Sequence, residues 1–225
     1  MNAQVAVVLG ASGLIGSHLV NRLCKDDAFA KIIIITRRNF SHRSTKVINK
    51  VVDFNNRTDI INAFEKADVV FCAIGTTQKK AGGDKVVYRK VDFDIPVNVA
   101  KVAFDKGVEQ YVLVSSVGAS SASGNFYLNL KGQVEEAISS IGFKSVYLLR
   151  PSILLGRRKE TRPGESVGKV VMSTVSKLLV GSMSKYRPIS ADDVAGAMVR
   201  AGKERKPGSH FLYYKEMIGK DGRVG

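Results

Sequence analysis

The stretch Val5–Gly16, with the sequence VAVVLGASGLIG, decides the fold of this chain. It opens with five apolar residues, three glycines follow at intervals of three residues, and an amphipathic pattern begins after the last glycine. We interpret the stretch as a buried strand, a tight turn and the start of a helix that continues to about Lys25.

Each of the three glycines stands where the absence of a side chain has a physical use. Gly10 would let the chain turn sharply off the strand, Gly13 would let the backbone approach a diphosphate, and Gly16 would let the helix pack tightly against the sheet. Free N–H groups at the start of the helix would face the anion. Such turns also join strands to helices for steric reasons alone. The apolar run before this turn and the helix after it favour dinucleotide binding.

Size and composition indicate one α/β domain over residues 1–225. The chain has 225 residues, of which 44% are apolar, so a full core fits one domain better than two. No apolar run approaches the roughly 20 residues that a membrane span needs, and no secretory leader is visible. We therefore expect a cytoplasmic protein without a membrane span. Cys24 and Cys72 are interpreted as core residues, and neither a disulfide framework nor a metal site is expected.

The chain is strongly basic, with 35 Lys and Arg against 20 Asp and Glu and a net charge of +15. Such an excess can attract nucleic acid or anionic lipid, and it also suits a polyphosphate ligand. Its densest part runs from Arg157 to Arg187, where eight basic residues face only Glu160 and Glu165. We interpret this part as a solvated basic loop and helix. Nucleic-acid binding there is a weaker alternative, because few aromatic residues are interleaved.

The second predicted strand, Lys31–Thr36, ends in two arginines. In a dinucleotide-binding fold this strand end meets the adenosine ribose, where an acid binds a free 2′-hydroxyl and an arginine binds a 2′-phosphate. No acid stands there, so the sequence favours NADPH over NADH, with Arg37 the better candidate and Arg38 the second. The alternative is a pair of exposed arginines in a loop.

Two further strands are predicted before residue 75. Asp53 ends the third strand, Val47–Phe54, and would either bond the adenine amino group or cap the turn. The fourth strand, Ala67–Ile74, ends in Gly75 and Thr76, and a glycine there lets the cofactor lie across the sheet edge. The next 15 residues are predicted to form a loop. Further predicted elements are a helix over Thr58–Lys66, a helix over Val91–Lys106 and a strand over Tyr111–Ser115.

The candidate catalytic residues follow the predicted strand Tyr111–Ser115. Tyr127 and Lys131 are four residues apart on a predicted helix, Phe126–Ser140, which places them on one face. A lysine ammonium near a phenol favours the phenolate, which makes Tyr127 a usable proton donor. A serine hydroxyl at the end of the adjacent strand could hold the substrate oxygen. Tyrosine and lysine at this spacing are common on helices, but the preceding glycine turn and the strand ending in serine make the set more specific.

The C-terminal third is predicted to build the substrate side, mainly over residues 152–190. A sixth strand, Ser145–Leu149, ends in Arg150 and Pro151. The later predicted elements are a basic loop over Gly156–Gly168, an amphipathic helix over Lys169–Val180, a helix opened by Ile189–Asp193 and running to about Lys203, a strand over His210–Tyr214 and a polar tail over Lys220–Gly225.

Together these motifs resemble the short-chain dehydrogenase/reductase superfamily. More narrowly, three runs are similar to the HIV Tat-interacting oxidoreductase family, an atypical branch with bacterial relatives. They are FCAIGTTQKKAG at Phe71–Gly82, NFYLNLKGQVE at Asn125–Glu135 and RPGE at Arg162–Glu165. The similarity covers nearly the whole chain. It implies a doubly wound parallel sheet, the Rossmann fold, with a small C-terminal substrate cap.

The resemblance also implies roles for matching positions. Ser116 would orient a carbonyl, with Ser115 as the alternative. Tyr127 would donate the proton as hydride arrives, and Lys131 would bind the nicotinamide ribose while tuning Tyr127. The implied cofactor-binding residues are Gly10, Ser12, Gly13, Leu14, Ile15 and Gly16 at the diphosphate, Arg37 and Arg38 at the 2′-phosphate, Asp53 and Phe54 at the adenine, Gly75 and Thr76 along the ribose, and Lys131 and Pro151 beside the nicotinamide.

One position departs from the superfamily pattern. Asp92 stands where many of these reductases carry an asparagine, so the proton relay assigned to that asparagine is in question here. The sequence therefore favours an NADPH-dependent reductase of a small carbonyl compound. The alternative is a cofactor-sensing module that binds a protein partner with little or no turnover. A homodimer is also open, because helices of this fold often pair between subunits.

Overall fold

A computed structural model describes residues 3–155 and 179–219. The strands of the described part are β1 Gln4–Leu9, β2 Phe29–Thr36, β3 Val47–Val51, β4 Val69–Cys72, β5 Gln110–Val114, β6 Ser145–Leu149, β7 Leu154–Leu155, β8 Ile189–Ser190 and β9 Gly208–Leu212. The α-helices there are α1 Leu14–Lys25, α2 Arg57–Ala63, α3 Lys85–Arg89, α4 Ile95–Asp105, α5 Phe126–Ser139, α6 Ala191–Glu204 and α7 Tyr214–Ile218, with a π-helical turn at Lys90–Asp94 and a 3₁₀ helix at Gly181–Tyr186.

Seven of these strands form one parallel sheet in the order β3-β2-β1-β4-β5-β6-β9, and β7 pairs with β8 separately. The order runs outward from β1 to β3 on one side and from β4 to β9 on the other. The winding therefore reverses between the neighbouring strands β1 and β4. In sheets of this kind, ligands bind beside such a reversal, at the carboxyl ends of the strands. The doubly wound parallel sheet predicted from the sequence is confirmed.

The inner strands β1, β2, β4, β5 and β6 are buried on both faces, as their apolar runs predict, whereas the edge strands β3 and β9 are partly exposed. Val7 and Leu9 of β1 face a core shared with α2, α4 and α5. Ala6 and Val8 face the opposite core, which is built with α1, α6 and α7. Helices on both faces leave the two ends of the strands accessible, and the carboxyl end carries the glycine turn and the loops that follow β2, β4 and β5.

The structure differs from the sequence prediction in the segment after β4. Helix begins at Lys85 rather than Val91, because Asp84 caps it by accepting the backbone N–H groups of Val86 and Val87. The π-helical turn then joins α3 to α4 without a break. The last strand also ends earlier than predicted, at Leu212.

Four sequence predictions lie wholly or mostly outside the described residues. They are the basic loop over Gly156–Gly168, the amphipathic helix over Lys169–Val180, the basic surface between Arg157 and Arg187, and the polar tail over Lys220–Gly225. None of the helices within the described ranges is both long and apolar enough to cross a bilayer.

Candidate functional site

The glycine turn joins the ends of β1 and β4 tightly. Gly10 has a φ of +82°, and a Cβ there would lie 2.6 Å from the carbonyl oxygen of Ala73. A Cβ on Gly16 would lie 2.0 Å from the carbonyl oxygen of Gly10. Backbone therefore fills the space that a side chain would need at both positions, and the start of α1 is drawn against the sheet edge.

The start of α1 fits an anionic group. The helix begins at Leu14 with Gly13 as its N-cap, which has no side chain to bond the free N–H groups of the first turn. No acidic residue lies in that turn. No acidic side chain of this first turn thus offsets the positive end of the helix dipole at the winding reversal, and helix starts of this kind bind phosphate groups.

Arg37 and Arg38 follow β2 directly, and both are exposed. The register pairs Ile35 with Leu9, so these arginines lie just beyond the strand that neighbours the glycine turn. Among the described ion pairs, neither guanidinium has a carboxylate partner. Two guanidinium groups without a carboxylate partner in the described ranges, placed next to the glycine turn, fit a second phosphate group.

Asp53 and Phe54 lie at the same edge, beyond β3. The Asp53 carboxylate accepts the Asn55 backbone N–H at 2.9 Å and its side-chain amide at 2.7 Å, so it caps this turn. The Phe54 side chain packs in the core with α2 and α4. Contact with an adenine would therefore use the exposed rim of Asp53 and the backbone of this turn rather than the Phe54 ring.

The turn after β4 is held by a buried carboxylate. Asp92 is 1% exposed and accepts the Thr76 backbone N–H at 2.8 Å through Oδ2. The Tyr88 hydroxyl donates to the Thr76 carbonyl at 3.2 Å. Gly75 remains exposed, and a Cβ there would approach Asp92 Oδ1 to 3.7 Å. The backbone of Thr76 is thus held in place by the side chains of Asp92 and Tyr88.

Tyr127 and Lys131 lie on successive turns of α5, as the sequence predicts. Lys131 Nζ is 6.0 Å from the centre of the Tyr127 ring and 3.2 Å from Asp92 Oδ1, and the lysine is 5% exposed. Burial opposes the charged form, but the Asp92 carboxylate and the Tyr127 side chain favour it, and the pKa of Lys131 lies above its ordinary value. The ammonium is therefore paired as well as close to the phenol ring.

The two serines after β5 differ in their surroundings. Ser115 is 4% exposed, and its Oγ is a buried polar atom without a hydrogen-bond partner among the described residues. Ser116 is half-buried and its hydroxyl donates to the Val117 carbonyl at 3.3 Å. Ser116 is therefore the more accessible of the two, which suits the substrate role given to it, while Ser115 has unused bonding capacity at the same edge.

Backbone contacts hold this serine loop against α5. The Ser120 N–H donates to the Leu128 carbonyl at 3.1 Å. A Cβ on Gly132 would lie 2.2 Å from the backbone of Ser120 and Ser121, so the helix and the loop touch directly. The Val117 N–H donates to the Pro151 carbonyl at 2.9 Å. The ends of β5 and β6 and the start of α5 are thus fixed relative to one another.

Besides the pairing of Asp92 with Lys131, the sequence did not predict a second buried ion pair near the site. Glu135, 4% exposed and one turn beyond Lys131 on α5, accepts Arg150 Nε at 3.0 Å and also binds Arg150 Nη2. Arg150 also donates to the Tyr213 hydroxyl at 2.9 Å and lies over the Phe211 ring. A signal was present in the sequence, since Glu135 continues the inward-facing spacing of Tyr127 and Lys131.

The parallel sheet, with a glycine turn and an open helix start at its winding reversal, defines a dinucleotide-binding protein of the Rossmann class. A model of the NAD(P)H-binding family matches residues 10–205. The chain belongs to this family, and within it to the atypical short-chain dehydrogenase/reductases that include fmp52 and HTATIP2.

Three relatives illustrate the membership. "Protein fmp52, mitochondrial" of Aspergillus fumigatus is 34% identical over 222 residues, which cover 94% of this chain and 94% of the relative. "Protein FMP52, mitochondrial" of Candida albicans is 35% identical over 193 residues, covering 83% of this chain and 82% of the relative. "Protein HTATIP2" of Rattus norvegicus is 36% identical over 168 residues, covering 73% and 69%.

Solved structures share the fold at lower identity. MoeE5 in complex with UDP-glucose and NAD superposes with a TM-score of 0.70 at 19% identity, covering 92% of this chain and 74% of that chain. The UDP-glucose 4-epimerase of Thermus thermophilus in complex with NAD gives a TM-score of 0.68 at 20% identity, covering 95% and 81%. At this identity the likeness shows the fold alone.

The expectation of a cytoplasmic protein is wrong. The fmp52 relatives of Aspergillus fumigatus, Aspergillus clavatus and Candida albicans are named as mitochondrial, which contradicts that expectation. The physical reason for the error is that hydropathy detects secretory leaders and membrane spans, and neither feature distinguishes the cytosol from a mitochondrial compartment.

Proposed function

We propose that this protein is an NADPH-dependent oxidoreductase that reduces a carbonyl compound, with Tyr127 as the proton donor. One observation carries the proposal: Tyr127 and the buried Lys131 lie together on α5. This helix contacts the loop that follows β5 and carries Ser115 and Ser116, at the same edge of the sheet as the glycine turn. Family membership supports nucleotide binding, and the tyrosine and lysine supply the proton chemistry.

Residues of the glycine turn would hold the cofactor. The free N–H groups from Leu14 to Gly16 suit its diphosphate, and Gly75 and Thr76 offer backbone along the ribose. Arg37 and Arg38 would bind a 2′-phosphate, which is the basis for preferring NADPH to NADH. When bound, the cofactor supplies hydride to the substrate carbonyl carbon.

The side chains around the carbonyl oxygen would complete the reduction. The Ser116 hydroxyl would donate a hydrogen bond that fixes the oxygen, with Ser115 as the alternative. The Tyr127 hydroxyl would transfer its proton to that oxygen as negative charge develops on it. The Lys131 ammonium would stabilise the resulting phenolate and bind the nicotinamide ribose, while Pro151 would border the ring.

We also propose that residues 152–190 form a substrate cap on a single domain. The described part of this segment includes β7, β8 and the 3₁₀ helix, where Ile153, Leu155 and Met183 are exposed apolar residues. Apolar side chains above a carboxyl edge suit a substrate with an apolar portion.

Nucleotide titration tests whether the protein binds NADPH in preference to NADH. Purified protein is titrated with NADPH and NADH by fluorescence or calorimetry, and Arg37→Ala is compared with Lys106→Ala. Both variants remove one exposed positive charge, but Lys106 precedes β5 and so lies at the opposite edge of the sheet. We expect tighter binding of NADPH than of NADH, and a loss on the order of tenfold for NADPH in Arg37→Ala alone. Equal loss in both variants would show a general charge effect, and no binding at all would contradict the proposal.

Turnover tests the mechanism. A panel of aldehydes and ketones is screened for NADPH oxidation, and Tyr127→Phe is assayed on any substrate found. We expect turnover to fall by a factor of about 100 or more while NADPH affinity is retained. Full turnover in Tyr127→Phe would contradict the assigned role. Tight nucleotide binding without turnover on any substrate would favour the cofactor-sensing alternative.

A further inference from the structure

Asp92 joins two elements of the site through its two carboxylate oxygens. Oδ1 lies 3.2 Å from Lys131 Nζ on α5, and Oδ2 accepts the Thr76 backbone N–H at 2.8 Å in the turn after β4. The residue lies in the π-helical turn Lys90–Asp94 and is 1% exposed. Single π-helical turns inside α-helices concentrate at functional sites, because the extra residue redirects a side chain.

Stability alone does not account for this buried pair. Removing two charges from water costs free energy that their attraction only partly returns, and apolar residues of similar size often stabilise a fold equally well. Lys131 and Asp92 instead lie where the proposed site needs the Lys131 ammonium and the Gly75–Thr76 peptide to be held in place. The pair therefore has a positional consequence that an apolar pair could not supply.

Asp92 is the carboxylate that acts on Lys131 among the described residues. The other ionisable groups that influence this lysine are Tyr127 on the same helix and the buried Cys72 thiol on β4. Neither of them is a carboxylate. Without Asp92, no carboxylate among the described residues would offset the cost of burying the ammonium.

We propose that Asp92 is a positioning residue that ties the Lys131 ammonium to the Gly75–Thr76 turn and keeps that ammonium charged before any nucleotide binds. The proposal rests on the proposed function, because the lysine and the turn are assigned there to the two sides of the cofactor ribose. It deepens that function by giving the aspartate a role distinct from an asparagine: it supplies a counter-charge as well as a hydrogen-bond acceptor.

Asp92→Asn separates the two contacts. The asparagine Oδ1 can still accept the Thr76 N–H, whereas its NH₂ group cannot pair with an ammonium. In protein labelled with ¹³C at lysine Cε, the Lys131 resonance is assigned by its loss in Lys131→Met and is followed against pH by NMR. We expect the wild-type resonance to titrate at a higher pH than a free lysine, and the Asp92→Asn resonance to titrate at a lower pH than a free lysine. An unchanged Lys131 titration in Asp92→Asn would overturn the inference.

Glu135→Gln is the matched control. It also neutralises a buried carboxylate, on α5 itself, but that carboxylate is paired with Arg150. We expect the Lys131 resonance to behave as in the wild type, and an equal change in both variants would overturn the specific pairing. Should Asp92→Asn fail to fold, the double variant with Lys131→Met removes both charges. Recovery of folding in the double variant would support the pairing, and failure to recover would overturn it.

NADPH affinity provides the second readout. We expect the dissociation constant to rise about tenfold in Asp92→Asn, because the ammonium and the turn are no longer held together. Wild-type affinity in this variant would overturn the positioning role. If the wild-type protein binds no nucleotide, the proposed function fails, while the Lys131 titration still reports independently on whether Asp92 holds its charge.

Discussion

Gly16 shows how a single missing side chain shapes the site. Its Cβ position is 2.0 Å from the Gly10 carbonyl oxygen and 2.7 Å from the Gly10 carbonyl carbon, and both atoms belong to the backbone of the turn. Backbone cannot rotate away as a flexible side chain could. Gly16→Ala would therefore push α1 away from the turn, with an expected loss of about 3 kcal/mol in the free energy of unfolding. Urea denaturation followed by circular dichroism measures this loss.

Gly124→Ala is the control for that substitution. Gly124 has open space around its Cβ position and no positive φ, so the same added methyl group should change stability by less than about 0.5 kcal/mol. The Gly16 variant should also lose nucleotide affinity, because the free N–H groups of the first turn move with the helix. Stability equal to that of the Gly124 variant would show that the turn can relax.

At the scale of one element, the start of α5 controls the position of Tyr127. The Asn125 side chain caps this helix by accepting the backbone N–H groups of Tyr127 at 3.0 Å and Leu128 at 3.1 Å. Asn125→Ala should cost about 1 kcal/mol of stability, as loss of a cap usually does. It should also lower kcat several-fold, because fraying of the first turn displaces the proton donor.

Asn56→Ala separates these two effects. Asn56 caps α2 by accepting the Thr58 N–H at 3.0 Å, and α2 carries none of the proposed catalytic residues. We expect a similar loss in the free energy of unfolding and no change in kcat, both measured as for the Asn125 variant. Equal kcat losses in the two variants would mean that overall stability, rather than the position of Tyr127, limits turnover.

Helix α5 and the segment before it also show what local sequence can predict. The sequence predicts this helix over 126–140 and the structure has it over 126–139, because its apolar spacing and its capping asparagine are both local signals. The helix at Lys85 is not predicted, since Val86 and Val87 are exposed and interrupt the apolar periodicity. The π-helical turn is not predicted either, because its i to i+5 hydrogen bonding has no residue pattern of its own.

For the whole molecule, the sheet edge at which the site lies follows from the sequence, whereas the contacts within the site do not. Parallel strands joined by helices place the turns that follow Leu9, Thr36, Cys72 and Val114 at one edge. The pairing of Asp92 with Lys131 depends on how the π-helical turn before α4 packs against α5, and the two residues are far apart in the chain. Pairings of this kind require the three-dimensional arrangement.

The buried titratable groups of the molecule make its stability sensitive to alkaline pH. Burial, and then the neighbouring Cys72, raises the pKa of Tyr111 well above its ordinary value. Burial, and then Glu204, raises the pKa of Tyr147 to about 12. An unfolded tyrosine loses its proton near about pH 10. The stability that these groups contribute is therefore fully present below about pH 10 and is lost as the pH rises through their folded pKa values.

We expect the free energy of unfolding, measured by urea denaturation, to fall above about pH 10, at on the order of 1.4 kcal/mol per pH unit for each proton that only the unfolded chain releases. Tyr147→Phe should make the fall shallower, because phenylalanine has no proton to release. Tyr186→Phe is the matched control, since Tyr186 is 41% exposed and its loss should leave the slope unchanged.

The raised pKa of Lys131 acts in the same direction, so Lys131→Met should also flatten the curve. A wild-type free energy of unfolding that stays constant to about pH 11.5 would contradict the burial of all three groups, whereas an equal effect of Tyr147→Phe and Tyr186→Phe would contradict only the assignment to Tyr147.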